Sequence, residues 1–467
     1  MRFFEVVILV SVAFMLIKSR MPVAKKPVGM TVFFLLVLIS VVLHIFLEKP
    51  RWQMVPAYGL LGILTCAFLI RYFFQPGNQV EPPKLFKRLG NALGFYLGWL
   101  TFIVAVLLPV VLPVFKYPAP SGPYPVGTRD FYFVDQARAE VFSAEPTAKR
   151  ELMVRVWYPA HPESEAQTQS YWPEAERIGP LILSRYGLPG FALNYLALVK
   201  THSYWNAPPA NSSTAFPVLI FSHGYAAFDY SMNLTQMEEL ASHGYIVFSI
   251  SHTYEVWATV FPDGRVVTTI DQNADATAAS ENINLDARLE VWVADTEFVL
   301  GQLERINAEA GDPLAGKMDL ERLGFFGMSF GGATAGKVCQ IDPRCKAGAN
   351  MDGYQFGNAD FATKPLRVPF LFFYSEPNQG MNDEIYAGTA NRTYRVIVRG
   401  AIHSNFTDGE LWSPLLKYTG APIDPRRMIS IVNAYLLAFF DRYLKGEEAP
   451  LLDMNTSPYS EVDFQRR

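Results

Sequence analysis

The chain has 467 residues, half of them hydrophobic and only 18% charged, too many for one small domain and unusually apolar for a soluble one. Its net charge of −4 hides a division: up to Pro118 there are 12 Lys and Arg against 3 Asp and Glu, and beyond it 28 against 41. With no basic block and an acidic main body, nucleic-acid binding is excluded, and the split predicts a membrane region joined to a soluble domain.

Four apolar runs come first: Phe3–Ile17, Val28–Leu47, Met54–Ile70 and Leu93–Phe115. A bilayer core needs about 20 apolar residues per helix, which the second and fourth runs meet well and the third just meets. The first is short and carries Glu5; Lys18 and Arg20 stand where a signal peptide would need small residues for cleavage. The expectation is therefore about four transmembrane helices over residues 1–118. Lys18, Arg20, Lys25 and Lys26 in the first loop, and Arg71, Lys84, Lys87 and Arg88 in the third, outnumber Lys49 and Arg51 in the second. Positive loops stay in the cytoplasm, so the chain should leave the fourth helix on the outer side, with residues 119–467 as a periplasmic or extracellular catalytic domain. The linker Tyr117–Gly127 is rich in Pro and Gly.

From about residue 128 short apolar runs alternate with amphipathic stretches. Leu152–Pro159 alternates as a strand, Pro217–Gly224 and Gly244–Ser251 are continuous apolar runs, and Met232–His243 and Leu285–Ala310 carry helical patterns. Three more strand-like runs, in "CKAGANMD", "VPFLFFYSE" and "RTYRVIVRG", follow Leu323–Gly327. Strands alternating with helices predict an α/β fold with a mostly parallel sheet. A final helix is bounded by Asp424 as N-cap, Pro425 in its first turn and Gly446 just past its end. Gly179–Lys200, apolar with scattered polar residues, reads equally as a lid, a membrane-touching face or extra core.

"LGFFGMSFGGATAG", Leu323 to Gly336, places Gly-x-Ser-x-Gly after a strand and before a helix candidate at Gly332–Val338. That is the context a nucleophile on a sharp strand-to-helix turn requires. A serine hydroxyl needs a base, and the base an orienting acid, in the chain order Ser, acid, His. His403 is the only histidine after Ser329. Among Asp342, Asp352, Asp360, Asp383 and Asp408, Asp352 is favoured, because it ends the strand next after the helix that follows Ser329; Asp383 is second. The oxyanion donors should be the N–H groups of Phe330, next to the nucleophile, and Tyr225, in the loop after the earlier strand. His223 precedes the serine and is read as shaping that loop. Cys339 and Cys345 flank a turn and are left open between a disulfide and free thiols, and no His/Cys cluster suggests a metal site.

In order and spacing, "WNAPP", "FPVLIFSHGYAAF", "LASHGYIVFSISH", "GMSFGGATA", "NMDGYQF" and "GAIHSNFTD" resemble the plasma-type platelet-activating-factor acetylhydrolases, over roughly residues 150–410. The resemblance implies an α/β-hydrolase fold and a calcium-independent enzyme without a cofactor, cleaving short or oxidised sn-2 acyl groups of phospholipids. It carries the triad onto Ser329, Asp352 and His403 and the oxyanion donors onto Tyr225 and Phe330. Two departures stand out: Met328 where the animal enzymes have His, and the added membrane region. The expected function is a membrane-anchored serine esterase on lipid or short-chain esters, its partners being that substrate and the bilayer. An acyltransferase or general carboxylesterase on the same triad is the alternative, and a non-catalytic membrane scaffold a remote one.

Overall fold

The computed structural model describes residues 1–20, 28–73, 84–269, 284–357, 360–418 and 422–467. The chain divides into two compact units, one of Met1–Lys116 with Trp172–Val199 and Trp412–Leu415, the other of Tyr117–Tyr171, Lys200–Leu411 and Leu416–Arg467.

In the first unit the apolar runs form helices α1 (Phe3–Lys18), α2 (Val28–Leu43, continued by a π-helical turn His44–Glu48), α3 (Val55–Phe73) and α4 (Lys84–Val111). Gly29–Glu48, Trp52–Ile70 and Gly90–Val111 are long and apolar enough to cross a bilayer. The fourth expected span is the exception. Helix α1 has 16 residues, about 24 Å at the helical rise against a hydrocarbon core of about 30 Å. It buries Ile8, Leu9, Val12, Met15 and Leu16 within the unit. Its Glu5 is buried but fully partnered: Arg51 reaches both carboxylate oxygens at 2.7 and 2.9 Å, and Arg2 adds a third cationic contact at 2.8 Å. Arg51 also donates to the Leu112 carbonyl near the end of α4 at 2.6 Å. A buried charge persists only when paired in this way. Lys25 and Lys26, on which the orientation argument partly rests, lie outside the described residues.

Up to Val199, the Gly179–Lys200 stretch packs with the helical unit. Helix α5 (Ala175–Leu183) and the 3-10 turns Ser184–Tyr186 and Gly190–Leu198 belong to the helical unit. Trp52 donates its indole N–H to the Ala192 carbonyl at 3.2 Å and sets its ring edge-on to Phe191.

The second unit is an α/β layer structure. Strands β1 (Val126–Ala139), β2 (Lys149–Pro159), β3 (Thr168–Ser170), β4 (Lys200–Trp205), β5 (Phe216–Ser222) and β6 (Ile246–Ser251) precede a small hairpin, β7 (Ala258–Val260) with β8 (Val266–Thr268). Then come β9 (Met318–Met328), β10 (Cys345–Met351), β11 (Phe370–Ser375), β12 (Thr393–Val398) and β13 (Val462–Arg466). Apart from the hairpin they form one sheet in the order β13-β12-β11-β10-β9-β5-β6-β2-β1-β4-β3. The six central strands, β12 through β6, are parallel, as the continuous apolar runs predicted. Helices α6 (Leu234–Ser242), α7 (Leu285–Ala308), α8 (Phe330–Ile341), α9 (Asp383–Gly388) and α10 (Pro425–Phe440) connect or cover the strands. Asp424 caps α10 by accepting the Arg426 and Arg427 N–H groups at 2.9 and 3.1 Å. Cys339 and Cys345, across the turn from α8 to β10, are disulfide-bonded, which settles the pairing the spacing left open.

Candidate active site

Strand β5 lies between β6 and β9, so the connections after β5 and after β9 diverge at the carboxyl edge of the sheet. Such a switch point opens a crevice without any insertion. Ser329 sits there, joining β9 directly to α8 with φ 55° and ψ −119°. Side chains rarely occupy that region, and neighbours must hold the residue in it. Its N–H donates to the Met351 carbonyl at 2.8 Å, and its own carbonyl accepts the Gly332 and Ala333 N–H groups at 2.9 and 3.2 Å. The glycines of the motif are demanded by crowding: a Cβ on Gly331 would lie 2.0 Å from the Ser222 carbonyl oxygen, and one on Gly327 2.2 Å from the Gly331 carbonyl carbon.

Asp352 follows β10 and is buried. One carboxylate oxygen accepts the Ser375 N–H at 2.6 Å; the other accepts the Ser375 hydroxyl at 2.9 Å, the Asn378 amide at 2.8 Å and His403 Nδ1 at 2.7 Å. Because a carboxylate only accepts, Nδ1 of His403 carries the proton and Nε2 keeps its lone pair for proton transfer. His403 opens the turn His403–Phe406 beyond β12, its side chain 47% exposed. None of the other four candidate acids has a hydrogen bond or ion pair to this imidazole. Asp342 pairs with Arg344, Asp360 with Lys337 and Asp383 with Arg395, while Asp408 is buried against Thr235 and Tyr117. Ser375 and Asn378 escaped sequence reasoning. Their one signal is position, at the carboxyl end of the strand beside β10.

The loop after β5 runs alongside the serine, since a Cβ on Gly224 would stand 3.6 Å from Ser329 Cβ. The Tyr225 ring meets that of Phe330, the first residue of α8, with centroids 5.9 Å apart. His223 is fully buried, and its two nitrogens are occupied by backbone: Nε2 accepts the His252 N–H at 3.1 Å, so Nδ1 holds the proton that goes to the Gly224 carbonyl at 2.8 Å. Burial, with His252 nearby, pushes its pKa down to about 3. The ring is neutral and aims the Gly224–Tyr225 peptide. Behind it lies a buried network the sequence did not disclose. The His252 ring stacks on Trp292 at 3.8 Å and bonds Asp295 at 2.9 Å, and Arg150 grips Asp295 at 3.0 and 2.6 Å. Burial alone would raise the Asp295 carboxyl, but Arg150 and His252 hold it well below the usual carboxylate range.

The family model described as platelet-activating factor acetylhydrolase, isoform II, matches residues 111–289 and 292–452. The chain is 25% identical over 384 residues to the platelet-activating factor acetylhydrolase of Cavia porcellus, covering 74% of this chain and 82% of that protein. The corresponding figures for the Bos taurus protein of that name are 26% over 433 residues, 83% and 88%. A protein of Arthroderma benhamiae named as a probable 1-alkyl-2-acetylglycerophosphocholine esterase is 23% identical, with 75% and 94% covered. Among solved structures, a ferulic acid esterase from Streptomyces cinnamoneus superposes with a TM-score of 0.62 at 28% identity, covering 75% of this chain and 99% of that one.

Proposed function

The chain belongs to the platelet-activating factor acetylhydrolase isoform II family and is a carboxylic ester hydrolase; from that premise we propose a membrane-anchored serine esterase that removes short sn-2 acyl groups from glycerophospholipids through an acyl-enzyme on Ser329. The observation that carries the mechanism is the 2.7 Å bond from His403 Nδ1 to a carboxylate already fixed by Ser375 and Asn378. It leaves Nε2 as the base for the Ser329 hydroxyl. The serine oxygen attacks the ester carbonyl as its proton passes to Nε2. The N–H groups of Tyr225 and Phe330 receive the developing oxyanion, each such donor being worth about 10²–10³ in rate. Collapse expels the lysolipid alkoxide, which takes the proton from His403, and water repeats the sequence to release the acid.

Membrane anchoring rests on the three long apolar helices and on their surface, where Leu35, Leu36, Leu38 and Ile39 of α2 are all more than half exposed. The Cys339–Cys345 disulfide suits an oxidising compartment. Together with the loop cations it supports a catalytic unit on the periplasmic or extracellular side.

The test uses purified protein, p-nitrophenyl esters of increasing acyl length and a short-chain sn-2 phospholipid, with and without chelator. Chelator-resistant turnover that favours two to four carbons and includes the phospholipid is expected. Turnover of simple esters alone would retain the triad and replace the substrate by that of a general carboxylesterase, the reading that the ferulic acid esterase likeness favours.

A further inference from the structure

Tyr225 stands between two clamped peptides. The one before it, Gly224–Tyr225, is held at its carbonyl by the His223 Nδ1–H at 2.8 Å. In a trans peptide the C=O and N–H point in opposite directions, so a donor behind the loop aims the Tyr225 N–H forward. The one after it, Tyr225–Ala226, is held by its own N–H, which donates to the Glu255 carbonyl at 3.0 Å. Ala226 has φ 46°, a region that side chains disfavour, and that bond helps to hold it there.

Both clamps come from one turn. His223 Nε2 accepts the His252 N–H at 3.1 Å, and the turn His252–Glu255 is closed by the Glu255 N–H on the His252 carbonyl at 2.9 Å. Trp257 adds a third tie, its N–H donating to the Ala227 carbonyl at 2.9 Å. Tyr254 has φ 68°, so the turn itself needs support. Helix α7 supplies it. Asp295 bonds His252 Nδ1 at 2.9 Å, Trp292 donates its indole N–H to one Glu255 carboxylate oxygen at 2.9 Å, and Arg288 pairs with the other. Positions 288, 292 and 295 share one face of a helix. That face also reaches the other donor's residue: the Trp292 ring meets the Phe330 ring edge-on, centroids 4.8 Å apart, and the Arg288 guanidinium lies 5.3 Å from the centre of the Tyr225 ring.

Glu255 is fully buried and joins the two systems, its carbonyl on the oxyanion loop and its carboxylate on α7. We propose that Glu255, seated by Trp292, is a positioning residue for ester hydrolysis: it sets the oxyanion hole from behind, so that its loss weakens the transition state and spares substrate binding. This rests on the reading of Tyr225 and Phe330 as the oxyanion donors.

The test compares p-nitrophenyl acetate with its thiono analogue, in which sulfur replaces the carbonyl oxygen, on the purified full chain. Sulfur is larger and a weaker acceptor, so an aligned pair of N–H donors favours the oxygen ester. Dividing kcat/KM for one ester by that for the other on the same sample cancels any inactive fraction, so a variant that is merely less stable keeps the ratio. The natural protein should prefer the oxygen ester about tenfold more than hydroxide does. Glu255→Ala should lower kcat for the acetate about 10–10²-fold, leave KM within about threefold, and cut the ratio about tenfold. Trp292→Phe, which keeps a ring against His252 and Phe330 but removes the indole N–H, should cut the ratio in the same direction, and it decides the matter if Glu255→Ala does not fold. Glu255→Gln retains an acceptor for that N–H and should keep the ratio within about threefold of the natural one. Asp352→Asn, which damages the base, should slow both esters equally. A natural ratio in both Glu255→Ala and Trp292→Phe would overturn the proposal and leave the donors standing. A natural protein no more selective than hydroxide would instead remove Tyr225 and Phe330 as donors, and the proposal with them.

Discussion

Ser329 holds a positive φ only because groups on two strands and one helix hold it there: the Met351 carbonyl, the Ser222 carbonyl against Gly331, and the first turn of α8. Replacing its hydroxyl leaves all of these in place. Ser329→Ala should therefore keep the melting temperature while kcat for p-nitrophenyl acetate falls by about 10⁴–10⁶, and full activity in that variant would remove the mechanism. Asp352→Asn is a finer probe. An amide in that position can donate to Nδ1, which favours the tautomer whose Nε2 is protonated and useless as a base. A loss of about 10³–10⁴ in kcat with little change in KM is expected from steady-state kinetics. A loss below tenfold would hand the orienting role to another group.

Among elements, the carboxyl end of β5 runs close against the start of α8. Gly331→Ala would drive a methyl into the Ser222 carbonyl region, at an expected cost of about 3 kcal/mol or more, read as a lowered denaturant midpoint. Helix α6 supplies a pH test. Glu238 is buried on it, accepts the His202 N–H and the Ser203 hydroxyl, and keeps its second oxygen without a hydrogen-bond partner. Burial pushes its pKa up to about 8 in spite of those bonds, with Asp408 adding repulsion. A carboxyl whose folded pKa lies above its unfolded one holds a proton the unfolded chain has released. Its contribution is complete below about pH 4.5 and is lost as pH rises through about 8. Melting temperature should fall over that window, and fall less in Glu238→Gln. Equal slopes would place the titration elsewhere. These elements also mark how far sequence reaches. The placement of Ser329 on the strand-to-helix turn and of Asp352 and His403 beyond strand ends is legible because chain order and strand ends constrain it locally. Ser375, Asn378 and the Arg150–Asp295–His252 network were not, because they act across strands far apart in sequence. The Gly179–Lys200 stretch was ambiguous for another reason: an apolar segment with scattered polar groups satisfies a core, a lid and a membrane face equally, and its packing on Trp52 shows only that it joins the helical unit.

At the scale of the whole molecule, the proposed topology predicts which compartment sees the catalytic unit. Ser212 is exposed on it, and Cys339 and Cys345 are bonded to each other, so Ser212→Cys in a Cys66→Ser background adds a single reactive thiol. A membrane-impermeant maleimide should label it in intact cells; labelling only after lysis would reverse the orientation. The buried pair of Glu5 and Arg51 has a further consequence, one of timing. During synthesis the glutamate emerges long before the arginine that neutralises it, and before the end of α4 whose carbonyl that arginine also holds. The seat of the first helix is thus provisional until Arg51, and then the end of α4, has been made. Arg51→Ala should leave early assembly untouched and strand the N-terminal helix at its last step, making that arginine the latch that closes the bundle.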